Sequence, residues 1–363
     1  MQIKNIKLDN FRNYKQLNIT LASGLNIFIG NNAQGKTNLL ESIYYCSIGK
    51  STKTSKDKEL IKWGETKSKV KVEVEREFYT NNIEIITCEK EKKTIKINEI
   101  PIKRIGELMG ELTVIFFSPD EIRLIKDAPQ DRRRFMDIDI SQISRNYFYL
   151  LCRYDKILNQ RNKLLKFTKD FEALKDAISI WDEQLSDIAS KIIFWRINFI
   201  NKLSKPACDI HKFITNGKEE LKVTYQGITG SSEQEIKEKI QKALIQNIQK
   251  DYELGYTTIG PHRDDLKVVI NNIDIRSFGS QGQQRLATLS LKLAELGLFK
   301  QERGEMPILL LDDVLSELDE TRQQNLLKII KDVQTIITCT KYDYKLKEND
   351  KIFRIENGSV RYI

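Results

Sequence analysis

The sequence predicts an α/β protein in which mixed and antiparallel sheets surround a phosphate-loop core and a helical arm is inserted midway. Three observations carry this expectation. An apolar, β-rich run from Asn26 to Ile29 breaks at Gly30 and enters a helix at Gly35-Lys36-Thr37. A second apolar run, I-L-L-L-D-D at 308–313, ends in two acids. Between the two, apolar residues recur at Leu174, Ile178, Trp181, Leu185, Ile188, Ile192, Trp195 and Phe199. Their alternate steps of four and three describe a helix seam about 25 residues, or roughly 40 Å, long.

In chain order, residues 2–9 and 17–21 read as short strands joined by N-F-R-N-Y at 10–14, a hairpin that feeds the phosphate-loop strand. The first helix shows an apolar face of Leu39, Leu40, Ile43 and Tyr44. The segment after it, G-K-S-T-K-T-S-K-D-K at 49–58, is basic and too rich in Ser and Thr for a helix interior. Alternation at 70–75, 83–86 and 94–98 predicts an antiparallel meander, and Leu112 to Phe117 a further strand. Prolines at or near their starts open helices over 119–126 and 129–143. Apolar residues at Tyr147, Leu150, Leu151, Tyr154, Ile157 and Leu158 predict an antiparallel partner for the long seam, whose helix Pro206 is expected to end. Strands near 221–225, 266–270 and 273–275 and an amphipathic helix over 233–249 complete the middle of the chain.

Composition narrows the function classes. The 363 residues are 40% hydrophobic and carry a net charge of +9, with mean hydropathy -0.45 and pI near 9.0. These values describe a soluble globular protein and fit nucleic-acid binding. No apolar run approaches the length of a membrane span and the first residues lack a secretory core, so the expectation is a cytoplasmic protein with no membrane association. Cys46, Cys88, Cys152, Cys208 and Cys339 are scattered, without a C-x-x-C pair, and only His211 and His262 supply imidazole. A disulfide framework, a zinc site and a histidine metal centre are not expected.

The stretch G-N-N-A-Q-G-K-T at 30–37 fits the phosphate-binding pattern G-x-x-x-x-G-K-[ST] at every fixed position. Gly30 and Gly35 let the chain curl until successive N–H groups face one anion, and the helix start adds its unsatisfied donors and dipole. Candidate nucleotide contacts are Gly30, Asn31, Asn32, Ala33, Gln34, Gly35, Lys36, Thr37 and Asn38. Lys36 is the point charge for the β- and γ-phosphates of ATP, and the Thr37 hydroxyl a ligand for Mg²⁺. At the end of the second run, Asp312 completes the metal set and Asp313 orients or deprotonates the attacking water.

A third motif, F-G-S-Q-G-Q-Q-R at 278–285, opens a helix with Leu286, Leu289, Leu293 and Leu296, and sets Ser280 and Gly282 at its anion-binding end. It resembles the S-x-G-Q signature of ABC-type ATPases, whose helix end presses on the γ-phosphate held by a second subunit. Ser316-Glu317-Leu318-Asp319 resembles their D-loop. Within that superfamily the chain resembles the RecF family of bacterial recombinational repair proteins along nearly its whole length. The carriers are N-F-R-N-Y, the phosphate loop, K-D-K-E-L-I-K-W-G at 56–64, S-P-D-E-I-R-L-I-K-D-A-P-Q-D-R-R-R-F-M-D at 118–137, G-P-H-R-D-D at 260–265, the signature and L-L-L-D-D-V-L-S-E-L-D at 309–319.

The resemblance implies an ABC-type ATPase head with an inserted arm: 1–118 and 251–363 as the two parts of the head, 119–250 as the arm. It implies an ATP-dependent homodimer, catalytic roles for Lys36, Asp313, Ser280 and Gly282, and nucleotide contacts from Arg12 and Asn13 as well. It also implies DNA, single- and double-stranded and at gaps or junctions, as ligand, with RecR and, indirectly, RecO as partners, in the bacterial cytoplasm at the nucleoid. Lys50, Lys53 and Lys56 are the candidate DNA contacts; Arg132 and Arg133 either brace the site, meet the nucleotide or pair structurally. Asp313 is a methylene shorter than the Glu of general ABC ATPases, no Q-loop glutamine follows Phe117, and I-I-T-C-T at 336–340 lacks the switch histidine. Weak hydrolysis, with ATP mainly holding the dimer, is the expectation. A long SMC-type tether fails on length, and an ABC transporter subunit on the missing histidine.

Overall fold

The alternating segments form strands whose inward residues are the predicted apolar set. In the computed structural model, which describes residues 1–342 and 347–363, Gln2–Phe11 (β1) and Tyr14–Thr20 (β2) form the opening hairpin, and Leu25–Ile29 (β3) leads into Lys36–Ile48 (α1). Lys67–Glu75 (β4), Thr80–Cys88 (β5), Thr94–Ile97 (β6) and Ile100–Pro101 (β7) make the meander, followed by Val114–Phe117 (β8). Next come Arg123–Lys126 (α2), Pro129–Ile143 (α3), Arg145–Phe167 (α4), Phe171–Ile214 (α5), Leu221–Gln226 (β9) and Glu233–Leu254 (α6). Asp265–Ile270 (β10), Ile273–Asp274 (β11), Ile275–Phe278 (α7) and Gln281–Arg303 (α8) precede Ile308–Asp312 (β12). Glu320–Ile329 (α9), Thr335–Cys339 (β13), Lys351–Glu356 (β14) and Ser359–Tyr362 (β15) close the chain. These elements pack as two units, one of Met1–Ile122, Asp209–Glu219 and Arg285–Ile363, the other of Arg123–Cys208 and Glu220–Gln284.

The first unit holds two six-stranded sheets. One is antiparallel, in the order β2-β1-β4-β5-β6-β7; the other runs β15-β14-β3-β13-β12-β8 and is parallel except for β15. The helix α1 packs against strands of both sheets. That position buries Leu39 through Ile48 all round, where the sequence showed only one apolar face. Ile308, Leu309, Leu310 and Leu311 are fully buried, as a strand covered on both faces requires.

In the second unit α4 and α5 run antiparallel. The Tyr147 and Trp195 rings lie 6.2 Å apart, Arg161 Nε donates to Asp182 at 2.6 Å, and Leu165 clusters with Leu174 and Ile178. Seam residues Leu174, Ile178, Leu185, Ile188, Ile192 and Phe199 are buried. Pro206 does not end the helix as expected: α5 continues to Ile214, with Leu203 and Ala207 fully buried beside it. Burial of that stripe offsets the ~3 kcal/mol penalty of an interior proline. The segment 251–284, grouped in the sequence with the returning head, packs with the second unit because β10 pairs with β9 from Asp265–Gln226 to Ile270–Leu221. Among the described residues no helix is long and apolar enough to cross a membrane.

Candidate functional site

Parallel pairing brings the phosphate loop and the acid strand to one sheet edge. Phe28 of β3, Thr338 of β13 and Asp312 of β12 stand in register. The residues that follow Ile29 and Leu311 therefore emerge together at the carboxyl edge, where open parallel sheets receive ligands.

The loop is held from both sides. Gly35 caps α1 with φ 112°, and a Cβ there would come within 2.4 Å of the Asn13 amide, so only glycine fits. Asn13 Nδ2 donates to the Gln34 carbonyl at 2.9 Å, Asn38 Nδ2 to Asn13 Oδ1 at 2.8 Å, and the Tyr14 hydroxyl to the Gly35 carbonyl at 2.9 Å. Opposite, the Asn357 N–H donates to Gln34 Oε1 at 2.6 Å and the Gly358 N–H to the Gln34 carbonyl at 3.3 Å. Asn31, Asn32 and Ala33 are exposed at the turn, and Thr37 is half-buried. Lys36 is buried, its ammonium on the Gly30 carbonyl. The Gly30 N–H is not among the anion-facing donors: it donates to Cys339 O at 3.3 Å, the last rung of the sheet.

Arg12 and Asn13 are bound to protein groups. Arg12 Nε and Nη2 grip the two carboxylate oxygens of Glu41 at 2.9 and 2.8 Å, and Nη1 donates to the Glu59 carbonyl at 3.0 Å. Glu41, fully buried on α1, also accepts from the Ser51 hydroxyl. A buried carboxylate must be paired, and this one ties the opening hairpin and the basic loop to the nucleotide-loop helix. Lys50, Lys53 and Lys56 of that loop are exposed, Lys56 lying 3.9 Å from Glu59 in a solvent-screened pair.

At the acid strand, Asp312 Oδ1 accepts from the Thr338 hydroxyl at 2.6 Å. The Asp313 N–H donates to both the carbonyl and the hydroxyl oxygen of Thr338, each at 3.0 Å, while its φ of 52° lies in the left-handed region. Asp313 Oδ1 is buried with no hydrogen-bond partner among the described residues. Strained backbone and an orphaned carboxylate oxygen at one residue are costs that packing alone does not repay. In the D-loop segment, burial raises the Glu317 carboxyl above its usual range, opposed by Arg285 at 3.0 Å and reinforced by Asp313. Asp319 caps α9 by accepting from the Arg322 N–H at 2.9 Å.

Among the described residues no group of three or more His, Cys, Asp or Glu is placed to hold a metal. Mg²⁺ needs none, being held by one or two carboxylates with substrate phosphates and water. The hard oxygens of Thr37 and Asp312 fit that donor set.

In the second unit, Ser280 and Gln283 form a reciprocal capping box at the start of α8, the Ser280 N–H donating to Gln283 Oε1 at 3.1 Å and the Gln283 N–H to Ser280 Oγ at 3.2 Å. Ser280, Gln281 and Gly282 are exposed. Arg132 is structurally paired: it is buried against Asp265 and donates to the carbonyls of Leu124, Ile125 and Asp127 at 3.2, 3.3 and 3.0 Å. Arg133 donates to the Asp264 carbonyl at 2.8 Å. The G-P-H-R-D-D segment is the polar core of this unit, with Arg196 reaching Pro261 O at 2.6 Å, Asp264 at 3.0 Å and Asp137 at 2.8 Å. His262 is pushed down to about 4 by burial; it sits between the Tyr154 hydroxyl at 2.6 Å and the Thr257 carbonyl at 2.9 Å, partners that suit the neutral ring.

Sequence reasoning missed Tyr14, Glu41, Thr338 and Arg196. A lone acid in an apolar helix run and a threonine near the end of an apolar strand were the available signals for the second and third.

The family model for the RecF/RecN/SMC N terminal domain matches residues 2–360. The chain is 49% identical over 367 residues to the DNA replication and repair protein RecF of Clostridium tetani, with 99% of each chain covered. A solved structure of the recombination mediator protein RecF with ATP in the RecFOR pathway matches at TM-score 0.91 and 38% identity, covering 99% of this chain and 97% of that one. An Smc head bound to the C-winged helix domain of ScpA matches at TM-score 0.59 and 14% identity over 100% of this chain and 97% of that one, a likeness of fold alone.

Proposed function

We propose, from the premise that this chain belongs to the RecF family of DNA replication and repair proteins within the RecF/RecN/SMC group, that it is a weak ATPase whose two copies close on ATP around DNA. The DNA is single- or double-stranded, at gaps or junctions, and RecR, with RecO through it, joins to load recombinase. The observation that carries this reading is the shared sheet edge: a braced phosphate loop and, two strands away, an acid pair with one unsatisfied oxygen. The solved RecF–ATP complex supports ATP as the nucleotide.

In this reading Lys36 neutralises the terminal phosphates, while Asn13 serves the nucleotide by holding the loop and Arg12 by holding, through Glu41, the helix that follows it. Thr37 and Asp312 would hold Mg²⁺, which when bound would supply neutralisation of the phosphate charge. Asp313 aligns the attacking water through its unpaired oxygen. Ser280 and Gly282 present the N-terminus of α8 to the γ-phosphate bound by the second copy.

Asp313→Asn is expected to leave ATP affinity within about threefold and to cut turnover at least about tenfold, because the metal ligand stays while the water loses its orienting carboxylate. The dimer should outlive that of the wild type. Parallel titration, turnover and dimer-lifetime measurements check this, and normal turnover places the water-orienting role elsewhere. DNA affinity should fall steeply with salt, since neutralised phosphates release counterions. Replacing Lys50, Lys53 and Lys56 together by Glu should make the slope of log affinity against log salt shallower by about three. A triple variant that dimerises on ATP and binds DNA like wild type removes this loop from the DNA surface.

A further inference from the structure

Tryptophan is the side chain with most to lose in water, yet Trp63 is 98% exposed. Its presentation is built. The Glu65 N–H donates to the Lys62 carbonyl at 3.0 Å and closes a β-turn with Trp63 and Gly64 at its centre. Gly64 has φ 84°, the value a type II turn requires at that position and one that a side chain resists. The base of the turn is pinned: Ile61 bridges to Phe11, the Lys62 N–H donates to the Asn10 carbonyl at 2.9 Å, and Lys62 Nζ donates to the Asn13 carbonyl at 2.9 Å. A ring held outward on a pinned turn loses little freedom when something stacks on it.

The surroundings decide what that is. The four residues that follow Trp63, Gly64, Glu65, Thr66 and Lys67, are exposed and none is apolar, so the chain that leaves the ring adds nothing to an apolar collar of the kind that surrounds a protein-binding hot spot. From 50 to 67 the chain carries six lysines against three acids, and Lys50, Lys53, Lys56 and Lys58 are exposed. An exposed flat aromatic in a lysine-rich stretch of chain suits a polyanion with open base faces, phosphates on the ammonium groups and a base on the ring. We infer that Trp63 stacks on an unpaired DNA base, and that this contact separates gapped and single-stranded DNA from blunt duplex. The inference rests on the DNA-binding reading above. Asn13, whose carbonyl holds Lys62, also braces Gln34, so the stacking turn and the phosphate loop share one support.

The test compares wild type, Trp63→Ala and Trp63→Phe for binding of a gapped duplex, an oligo-dT strand and a blunt duplex, with ATP at one fixed salt concentration. Trp63→Ala should lose about 5- to 160-fold on the gapped and single-stranded DNA, the range for one base–aromatic stack, and under about twofold on the blunt duplex. Trp63→Phe should keep most of the affinity, and ATP binding should not change. Equal losses on all three substrates, or none on the first two, overturn the inference. A wild type that binds none of the three overturns the DNA reading itself. A wild type that binds them with Trp63→Ala unchanged overturns only the stacking role and leaves the ring to a protein partner.

Discussion

Lys36→Ala is expected to weaken ATP binding at least about 100-fold, the sum of about two charged hydrogen bonds at 1.5–3 kcal/mol each. Lys36 is the sole cation in the 30–37 loop, since Asn31, Asn32, Ala33, Gln34 and Thr37 bring none. Its ammonium is nearly out of water and rests on the Gly30 carbonyl. Exchanging that carbonyl for phosphate oxygens converts a charge–dipole contact into a charge–charge contact in a poorly solvated place, where Coulomb attraction is strong. The loop does not need Lys36 for its shape, because Asn13, Tyr14 and Asn357 hold Gln34 and Gly35 independently. The variant should therefore melt within a few degrees of wild type while its calorimetric titration with Mg-ATP goes flat. Near-normal affinity in a folded variant would remove the loop from nucleotide binding.

How much of this was readable beforehand follows from the range of each interaction. The phosphate loop, the meander and the α4–α5 seam are local patterns, of consecutive residues or of period two and three to four, and each stands where the pattern put it. Glu41 was invisible because its burial comes from α1 packing on two sheets at once, which no helical pattern of one segment reveals. Pro206 misled for the same reason: a local rule about a missing donor met a stripe of tertiary burial that outweighs it. The strands β14 and β15 lack a strong apolar run, and β14 is a strand because β3 lies beside it. The Arg132 alternatives could not be separated in sequence, since its partner Asp265 is 133 residues away.

Ser280→Arg and Lys36→Ala are each expected to be inactive alone and to regain ATP hydrolysis when mixed, provided that the site is shared between copies. Ser280 is exposed at the start of α8, so an arginine there fills the space where the partner's γ-phosphate would sit, at the further cost of the helix cap, about 1 kcal/mol. In a mixed dimer one composite site takes both defects, and the other joins an intact Lys36 to an intact Ser280. Random pairing makes half the dimers mixed, each with one good site, so recovery should approach about a quarter of the wild-type rate. Cross-linking shows that mixed dimers exist, and counting the nucleotide they hold separates two failures. One tightly held nucleotide per mixed dimer without turnover means that both sites must be intact for hydrolysis. No nucleotide in confirmed mixed dimers, with no recovery at any ratio, means that Ser280 does not complete the site of the partner, and the proposal of a shared ATP site falls.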